Sequence, residues 1–379
     1  MSQILGTVEP EFEGVLDAFV DNFDQRGDVG AACCVYVDGR PVVDIWGGLA
    51  DPTVGSAWRE DTIVPVFSCT KGATATCANL LIERGVLDPD ATVASYWPEF
   101  AANGKGAITL RQVLSHQAGL AVVEGDLTLA ETLSWFPVVE AIARQAPNWE
   151  PGTAHGYHMR SFGWIVGEIV RRVTGRTLGT SFRDEIATPL ALDFWIGLPE
   201  ELEQRVAKLI PPKGDMQAFF DALGDDVLLG RATTGPSGNF AYDEMWNTRA
   251  VHACELPSSN GITDARSLAR LYASLLDEVD GVRTLAPETV RLATEQQVRG
   301  PDKVILTETA FGLGFMLPPS LNARSRPRAF GHAGAGGSVG FADPEVGFAF
   351  AYVMTDLRFD LTGDPRSESL VEATYRALA

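Results

Sequence analysis

Apolar residues near the start of the chain recur every three to four positions. Phe12, Val15, Leu16, Phe19, Val20 and Phe23 share one helical face, which predicts an amphipathic helix over residues 9–25. The period then changes. Val29 to Val37 reads as a strand, Asp38-Gly39 as a strong turn signal, and Pro41 to Gly48 as the return strand of a hairpin. From residue 68 to about 230 helical patterns dominate, at 68–84, 109–116, 137–145, 160–174 and 199–209. Loops rich in Pro and Gly separate them, such as Asn148-Trp149-Glu150-Pro151-Gly152. A helix at 264–277 precedes a Gly-rich strand pattern at 328–341. A turn at Ala342-Asp343-Pro344-Glu345, a buried strand from Val346 to Thr355 and a helix at 366–378 close the chain. Strands thus cluster at both ends, with helices between them and at the termini. That order predicts an α/β (α+β) fold: one antiparallel sheet built from the two ends, flanked by helices, with a helical domain inserted. The expected boundaries are 1–65 with 235–379 for the sheet domain and 66–234 for the helical one, with the active site between them.

Composition changes this picture little. The 379 residues, 45% hydrophobic and 21% charged, can build a large core. The net charge of −20 argues against nucleic acid or an anionic membrane as partner, since both would be repelled. No stretch approaches the roughly 18 apolar residues of a membrane span. Acidic residues from Glu9 to Asp24 interrupt the apolar positions where a secretory leader would lie. The five cysteines are odd in number, and Cys33-Cys34 are adjacent in a strand-like run, so reduced core thiols are expected rather than a disulfide framework. Both features point to a cytoplasmic protein. The oligomeric state is not legible.

The candidate chemistry begins at Ser68-Cys69-Thr70-Lys71. A serine and a lysine at i and i+3 lie one helical turn apart on one face. A serine hydroxyl is a poor nucleophile until a base takes its proton, and a lysine within reach can be that base. The preceding Thr62 to Phe67 is β-branched, aromatic and Pro-containing, whereas Ala73, Ala75, Ala78, Leu80 and Leu81 favour helix. Ser68 is therefore expected in a first helical turn, where free N–H groups favour developing negative charge. The tetrapeptide alone carries little information. Gly336-Gly337-Ser338-Val339-Gly340 matches the G-x-S-x-G nucleophile elbow, but that motif needs a strand, a sharp turn, a helix and a later histidine. Here the chain continues into another strand, and no histidine follows His332. His155 and His158 have i, i+3 spacing without the further His or carboxylate cluster of a metal site, so no metal is expected.

Around Ser68 a wider set of motifs closely resembles the serine β-lactamase-like superfamily. They are Leu81-Ile82-Glu83-Arg84-Gly85-Val86-Leu87-Asp88, Tyr96-Trp97-Pro98-Glu99-Phe100, Ile108 to Leu120, Pro151 to His158 and Phe330-Gly331-His332-Ala333-Gly334. They cover nearly the whole chain in the family's order, and within the superfamily they look most like family VIII carboxylesterases. The resemblance implies a β-lactamase/DD-peptidase-like fold and no cofactor. It also implies Ser68 as the acylated nucleophile, Lys71 as its partner, and Tyr157 as the tyrosine of a Tyr-x-Asn motif, placed on a loop as an exposed tip. His332-Ala333-Gly334 occupies the Lys-Thr-Gly position. The backbone N–H of Ala335 is then expected to complete an oxyanion hole with that of Ser68. His332, Gly334 and Met159 are the implied substrate-binding positions.

Two departures bear on the substrate. His332, at most partly charged near neutral pH, stands where a fixed lysine charge would hold a β-lactam carboxylate. Met159 stands where an Asn would grip a substrate amide. Simple esters need neither contact, so a short-acyl ester is the expected small-molecule substrate. An acyltransferase using the same intermediate, a weak β-lactamase or DD-peptidase, and a sensor that acylates and stops are the competing readings. His116 and Cys69 are read as structural, Trp135 and Phe136 as core aromatics that could instead wall a pocket. His332 either lines the acyl or alcohol pocket or fills the space of the missing lysine.

Overall fold

In the segment Phe348–Met354, large and small side chains alternate as Phe-Ala-Phe-Ala-Tyr-Val-Met, and a strand sends alternate residues to opposite faces. The computed structural model describes residues 3–214, 228–359 and 363–379. In it this strand is central to a ten-stranded antiparallel sheet. The order is Ile4–Val8, Arg40–Asp51, Gly30–Val37, Phe348–Met354, Val339–Asp343, Phe330–Ala333, Met316–Leu317, Glu308–Phe311 and Val298–Pro301, with Ser56–Ala57 pairing off Arg40–Asp51. Both ends of the chain therefore meet in one sheet. Cys34, Ala351 and Gly340 lie side by side in register, a row of small residues that lets the helix Ala265–Leu276 lie close against the sheet. A Cβ on Gly340 would come within 2.7 Å of Leu268. The large residues turn the other way. Phe348 packs edge-on against Tyr375, and Tyr375 belongs to the helix Pro365–Ala377, which pairs with the helix Glu13–Asp24.

Thr70–Glu83, Leu110–Leu114, Phe136–Arg144 and Ser161–Thr174 are helices where the periodicity predicts them. Thr109 and Gln112 form a capping box, and Gly175 ends the last helix in the left-handed region at φ +73°. A three-stranded sheet of Val64–Pro65, Ile262–Thr263 and Phe194–Trp195 leads directly into Ser68.

Three segments differ from expectation. The first helix does not begin at residue 9, because Ile4–Val8 pairs with Arg40–Asp51 and Pro10 opens a short 3-10 turn before Glu13–Asp24. Residues 199–209 make only a 3-10 turn, Glu200–Arg205. The chain then pairs with Ile63, whose N–H donates to Arg205 and whose carbonyl accepts from Ala207, and that pairing outcompetes helix. Residues 328–341 are two strands, not one, reversed by a turn in which the Gly334 N–H donates to the Ser338 carbonyl at 2.7 Å. The pattern predicts nothing between 278 and 327, where the helix Pro287–Thr294 and three short strands form. Among the described residues no helix is long and apolar enough to cross a membrane.

Candidate active site

Phe67, immediately before Ser68, holds a left-handed backbone at φ +45°. Such a conformation costs a bulky residue roughly 1–3 kcal/mol and persists only where its surroundings enforce it. Here the ring is wedged against Trp246 and Tyr242 at centroid distances of 4.8 and 5.6 Å. The Phe67 carbonyl accepts from the Thr70 N–H and hydroxyl. Next, the Lys71 N–H donates to the Ser68 carbonyl at 2.9 Å. Ser68 thus sits in the tight turn just ahead of Thr70–Glu83, half-exposed, while Cys69, Thr70 and Lys71 are fully buried.

Lys71 reaches three oxygens. Its Nζ lies 3.1 Å from Ser68 Oγ, 2.6 Å from the Met159 carbonyl and 3.0 Å from the Ser258 carbonyl. Burial pushes its pKa well below that of a free lysine, and the Arg160 cation adds to this. The amine also lies 4.7 Å from the centre of the Tyr157 ring.

Tyr157 is on a loop, as expected, but it is buried rather than an exposed tip. Its N–H donates to Asp302 Oδ1 at 3.0 Å, and its ring stacks on Phe311. Asp302 also accepts from the Val304 and Ile305 amides and the Thr309 hydroxyl, so one carboxylate ties this loop to the sheet edge. Burial raises the phenol pKa strongly, with Ser68 hydrogen bonding pulling it back in part.

His332 is completely buried. Its Nδ1 is 2.7 Å from the Ala333 carbonyl, which can only accept, so Nδ1 carries the proton and Nε2 presents a lone pair. That Nε2 is 3.5 Å from the Tyr157 hydroxyl. Burial, then the nearby Lys71, drives the imidazole pKa down to about 3, so it is neutral rather than partly charged. Past it, the strand end presses on the Ser68 turn. A Cβ on Gly334 would collide with the Val66 carbonyl oxygen and come within 3.3 Å of Cys69 Sγ. The Cys69 thiol donates to the His332 carbonyl at 3.3 Å. Among the described residues, neither the Ser68 nor the Ala335 amide donates to any group of the protein. A cavity of about 410 Å³ opens along Ala333 to Val339, with Ile305, Leu321 and Phe359 in its wall, though Ser68 itself does not line it.

The remaining candidates have plainer places. Met159 contributes its carbonyl to Lys71, while its side chain packs between two apolar clusters. His158 is a buried clasp: Nδ1 donates to the Gly156 carbonyl and Nε2 accepts from the Leu120 N–H, and burial takes its pKa down to about 4. His116 Nδ1 accepts the His158 N–H, and His155 pairs with Thr309. Ser338 is buried between two strands, its hydroxyl without a partner among the described residues, not on a strand-to-helix elbow. Trp135 donates to Glu168, whereas Phe136 is exposed beneath Arg171. Sequence reasoning missed Phe67, Ser258, Asp302 and Arg160. Only Arg160 left a signal, a charge just ahead of the apolar run Phe162 to Gly167.

The beta-lactamase family profile matches residues 16–373. The chain belongs to the beta-lactamase family. Esterase/beta-lactamase LipL of Mycobacterium tuberculosis (strain ATCC 25618 / H37Rv) is 38% identical over 368 residues, covering 93% of this chain and 82% of that protein. The crystal structure of a family VIII carboxylesterase aligns with a TM-score of 0.91 and 38% identity, over 99% of this chain and 100% of the other. A penicillin-binding protein homolog from Caulobacter crescentus aligns with a TM-score of 0.88 and 37% identity, over 99% and 100%. The mixed α/β architecture is that of these beta-lactamase-family neighbours, which include carboxylesterases.

Proposed function

We propose that this protein is a cofactor-free serine carboxylesterase that cleaves small, short-acyl esters through an acyl-enzyme on Ser68. The placement of the Lys71 amine carries this reading. A neutral amine has two N–H bonds and one lone pair. The Met159 and Ser258 carbonyls take the two N–H groups, which leaves the lone pair for the Ser68 hydroxyl at 3.1 Å. Burial favours that neutral form. Lys71 therefore accepts the Ser68 proton as Oγ attacks the ester carbonyl carbon. Tyr157, its phenol kept protonated by burial, is the second proton-handling group rather than a phenolate base.

Negative charge developing on the carbonyl oxygen falls to the unpaired Ser68 and Ala335 amides. Each such donor is typically worth about 2.7–4 kcal/mol of barrier. Collapse breaks the ester C–O bond, and the alcohol leaves with the proton held by Lys71. Water then attacks the acyl carbon, giving its proton back through Lys71 to Ser68 and releasing the acid. The buried, neutral His332 offers no fixed cation for a β-lactam carboxylate, which favours an ester over that substrate. The relatives named as esterases support the same choice.

On this reading the site lies between a sheet domain, 1–65 with 235–379, and a helical one, 66–234, of which 215–227 fall outside the described residues. Ser68, Lys71, Tyr157 and Met159 come from the second, and His332, Gly334 and Ala335 from the first. Five free cysteines, four of them buried, support a reducing, cytoplasmic setting.

Labelling with a phosphonate ester and peptide mapping tests the assignment. The adduct belongs on the Ser68 peptide. Ser68→Ala abolishes turnover, Lys71→Ala lowers kcat at least about 10²-fold, and Ser338→Ala keeps most activity. An adduct on Ser338, or full activity in Ser68→Ala, overturns it.

A further inference from the structure

Arg160 is 4% exposed, and no carboxylate pairs with it among the described residues. Every other fully buried charge near it is a group that can lose its charge; a guanidinium cannot. Its Nε and Nη2 donate to the single Thr233 carbonyl, at 3.0 and 2.6 Å, and Nη1 reaches Ser259 Oγ only at 3.5 Å. Aromatic faces take the place of a counter-ion: Phe240 at 4.4 Å, Trp246 at 5.2 Å and Tyr242 at 5.9 Å from the guanidinium carbon. Cation–π contacts offset only part of the cost of burying an unpaired charge. A lone buried cation is therefore a feature that packing alone does not account for.

Its neighbours are the groups that hold Lys71. Residue 159, whose carbonyl accepts from Lys71 Nζ, precedes it in the chain. The Arg160 carbonyl accepts from the hydroxyl of Ser258, whose own carbonyl is the second acceptor for Nζ. The side chain continues to Ser259. The Arg160 backbone and side chain thus both meet the Ser258–Ser259 segment of the lysine cradle, and the guanidinium sets a permanent positive charge behind it.

We propose that Arg160 is a positioning residue for the ester reaction, holding the Ser258–Ser259 segment of the Lys71 cradle in place and keeping the amine unprotonated by charge repulsion. This rests on the reading of Lys71 as the base for Ser68. The other titratable groups facing Lys71 are Cys69 on its own helix start, Tyr157 and His158 on the loop, His116 beyond Leu110–Leu114, and His332 on the strand. Burial drives each towards its neutral form: the phenol and thiol up, the three imidazoles down. Arg160 is then the one lasting charge beside the amine among the described residues, and its repulsion is present at every working pH.

The test is the pH dependence of kcat/KM for p-nitrophenyl butyrate in Arg160→Met and Arg160→Gln. Loss of the cation stabilises the ammonium form, so the acid limb moves to higher pH by about one to two units, and activity returns above it. A purely structural role lowers kcat across the whole range and leaves the limb where it was; that result overturns the proposal. A second readout does not depend on turnover. The chain has five lysines, so [13Cε]lysine labelling resolves Lys71 by NMR in the Ser68→Ala protein. Its titration midpoint is expected well below the free-lysine value of about 10.4, and in Arg160→Gln it should rise by the same one to two units. A Lys71 that titrates like free lysine refutes the proposal. Should Lys71→Ala retain full esterase activity, the functional reading fails, while the NMR midpoint still decides whether Arg160 acts on Lys71.

Discussion

The Tyr157 hydroxyl and the His332 Nε2 lone pair face each other at 3.5 Å inside the protein, with the imidazole tautomer fixed by Nδ1 donating to the Ala333 carbonyl. The histidine can therefore only accept, and the phenol O–H has a place to point when it is not serving Ser68. The imidazole is neutral in this arrangement and so brings no fixed positive charge to the site.

Replacing His332 by Leu removes the acceptor and should lower kcat by roughly tenfold with little change in KM, a cost of the order of one lost buried hydrogen bond. His332→Gln, which can still accept, should retain most of it. Steady-state kinetics with p-nitrophenyl butyrate separates these outcomes. Equal loss in both variants would mean that the imidazole acts through packing alone.

The buried histidines also predict an acid-labile fold. His332 and His158 titrate near 3 and 4 in the folded protein, and His116 is lowered as well, whereas unfolded histidine titrates near 6.5. Below about pH 6.5 the unfolded chain binds protons that the folded chain refuses. The histidine contribution to stability is then complete above pH 6.5 and falls as the pH drops, by about 1.4 kcal/mol per pH unit for each such histidine. Asp264, whose carboxyl burial raises to about 6, and Asp28, also raised, work in the opposite direction at lower pH. The net fall should be steepest just below pH 6.5. Urea midpoints at pH 7.5 and 5.5 measure it, and equal midpoints would contradict it.

Gly334 allows the strand end to touch the Ser68 turn. Gly334→Ala forces its methyl group against the Val66 carbonyl oxygen. The Ala335 amide should shift with the chain, costing about 10²-fold in kcat and little in KM. A melting curve alongside the kinetics distinguishes a misplaced amide from an unfolded protein. Unchanged kcat would separate Ala335 from the oxyanion.

Much of this was legible in the chain. The hairpin around Asp38-Gly39 follows from its turn chemistry, the strand at Phe348–Met354 from a continuous apolar run buried on both faces, and the helix Ala265–Leu276 from its period. The three short strands after residue 297 have two to four residues each, too few for a period to show. The Ser68–Lys71 pair was readable because both residues lie within one turn. What surrounds the lysine was not: the Met159 and Ser258 carbonyls belong to the backbone, and a backbone acceptor leaves no mark on residue type. The positive φ of Phe67 is equally silent, since a phenylalanine there is held by Trp246 and Tyr242, far along the chain. Tyr157 was placed on its loop, but its burial depends on Phe311 and Asp302, which only the fold brings near.

The most direct measurement compares kcat/KM for p-nitrophenyl butyrate with that for nitrocefin on one preparation, with Ser68→Ala as the blank. With His332 buried and neutral, a carboxylate anchor worth roughly 2–3 kcal/mol is missing, which alone implies about 30- to 150-fold in favour of the uncharged ester. Ester turnover that is faster by at least that margin and lost in Ser68→Ala is the predicted result. Faster turnover of nitrocefin, or ester hydrolysis that survives in Ser68→Ala, would contradict the account.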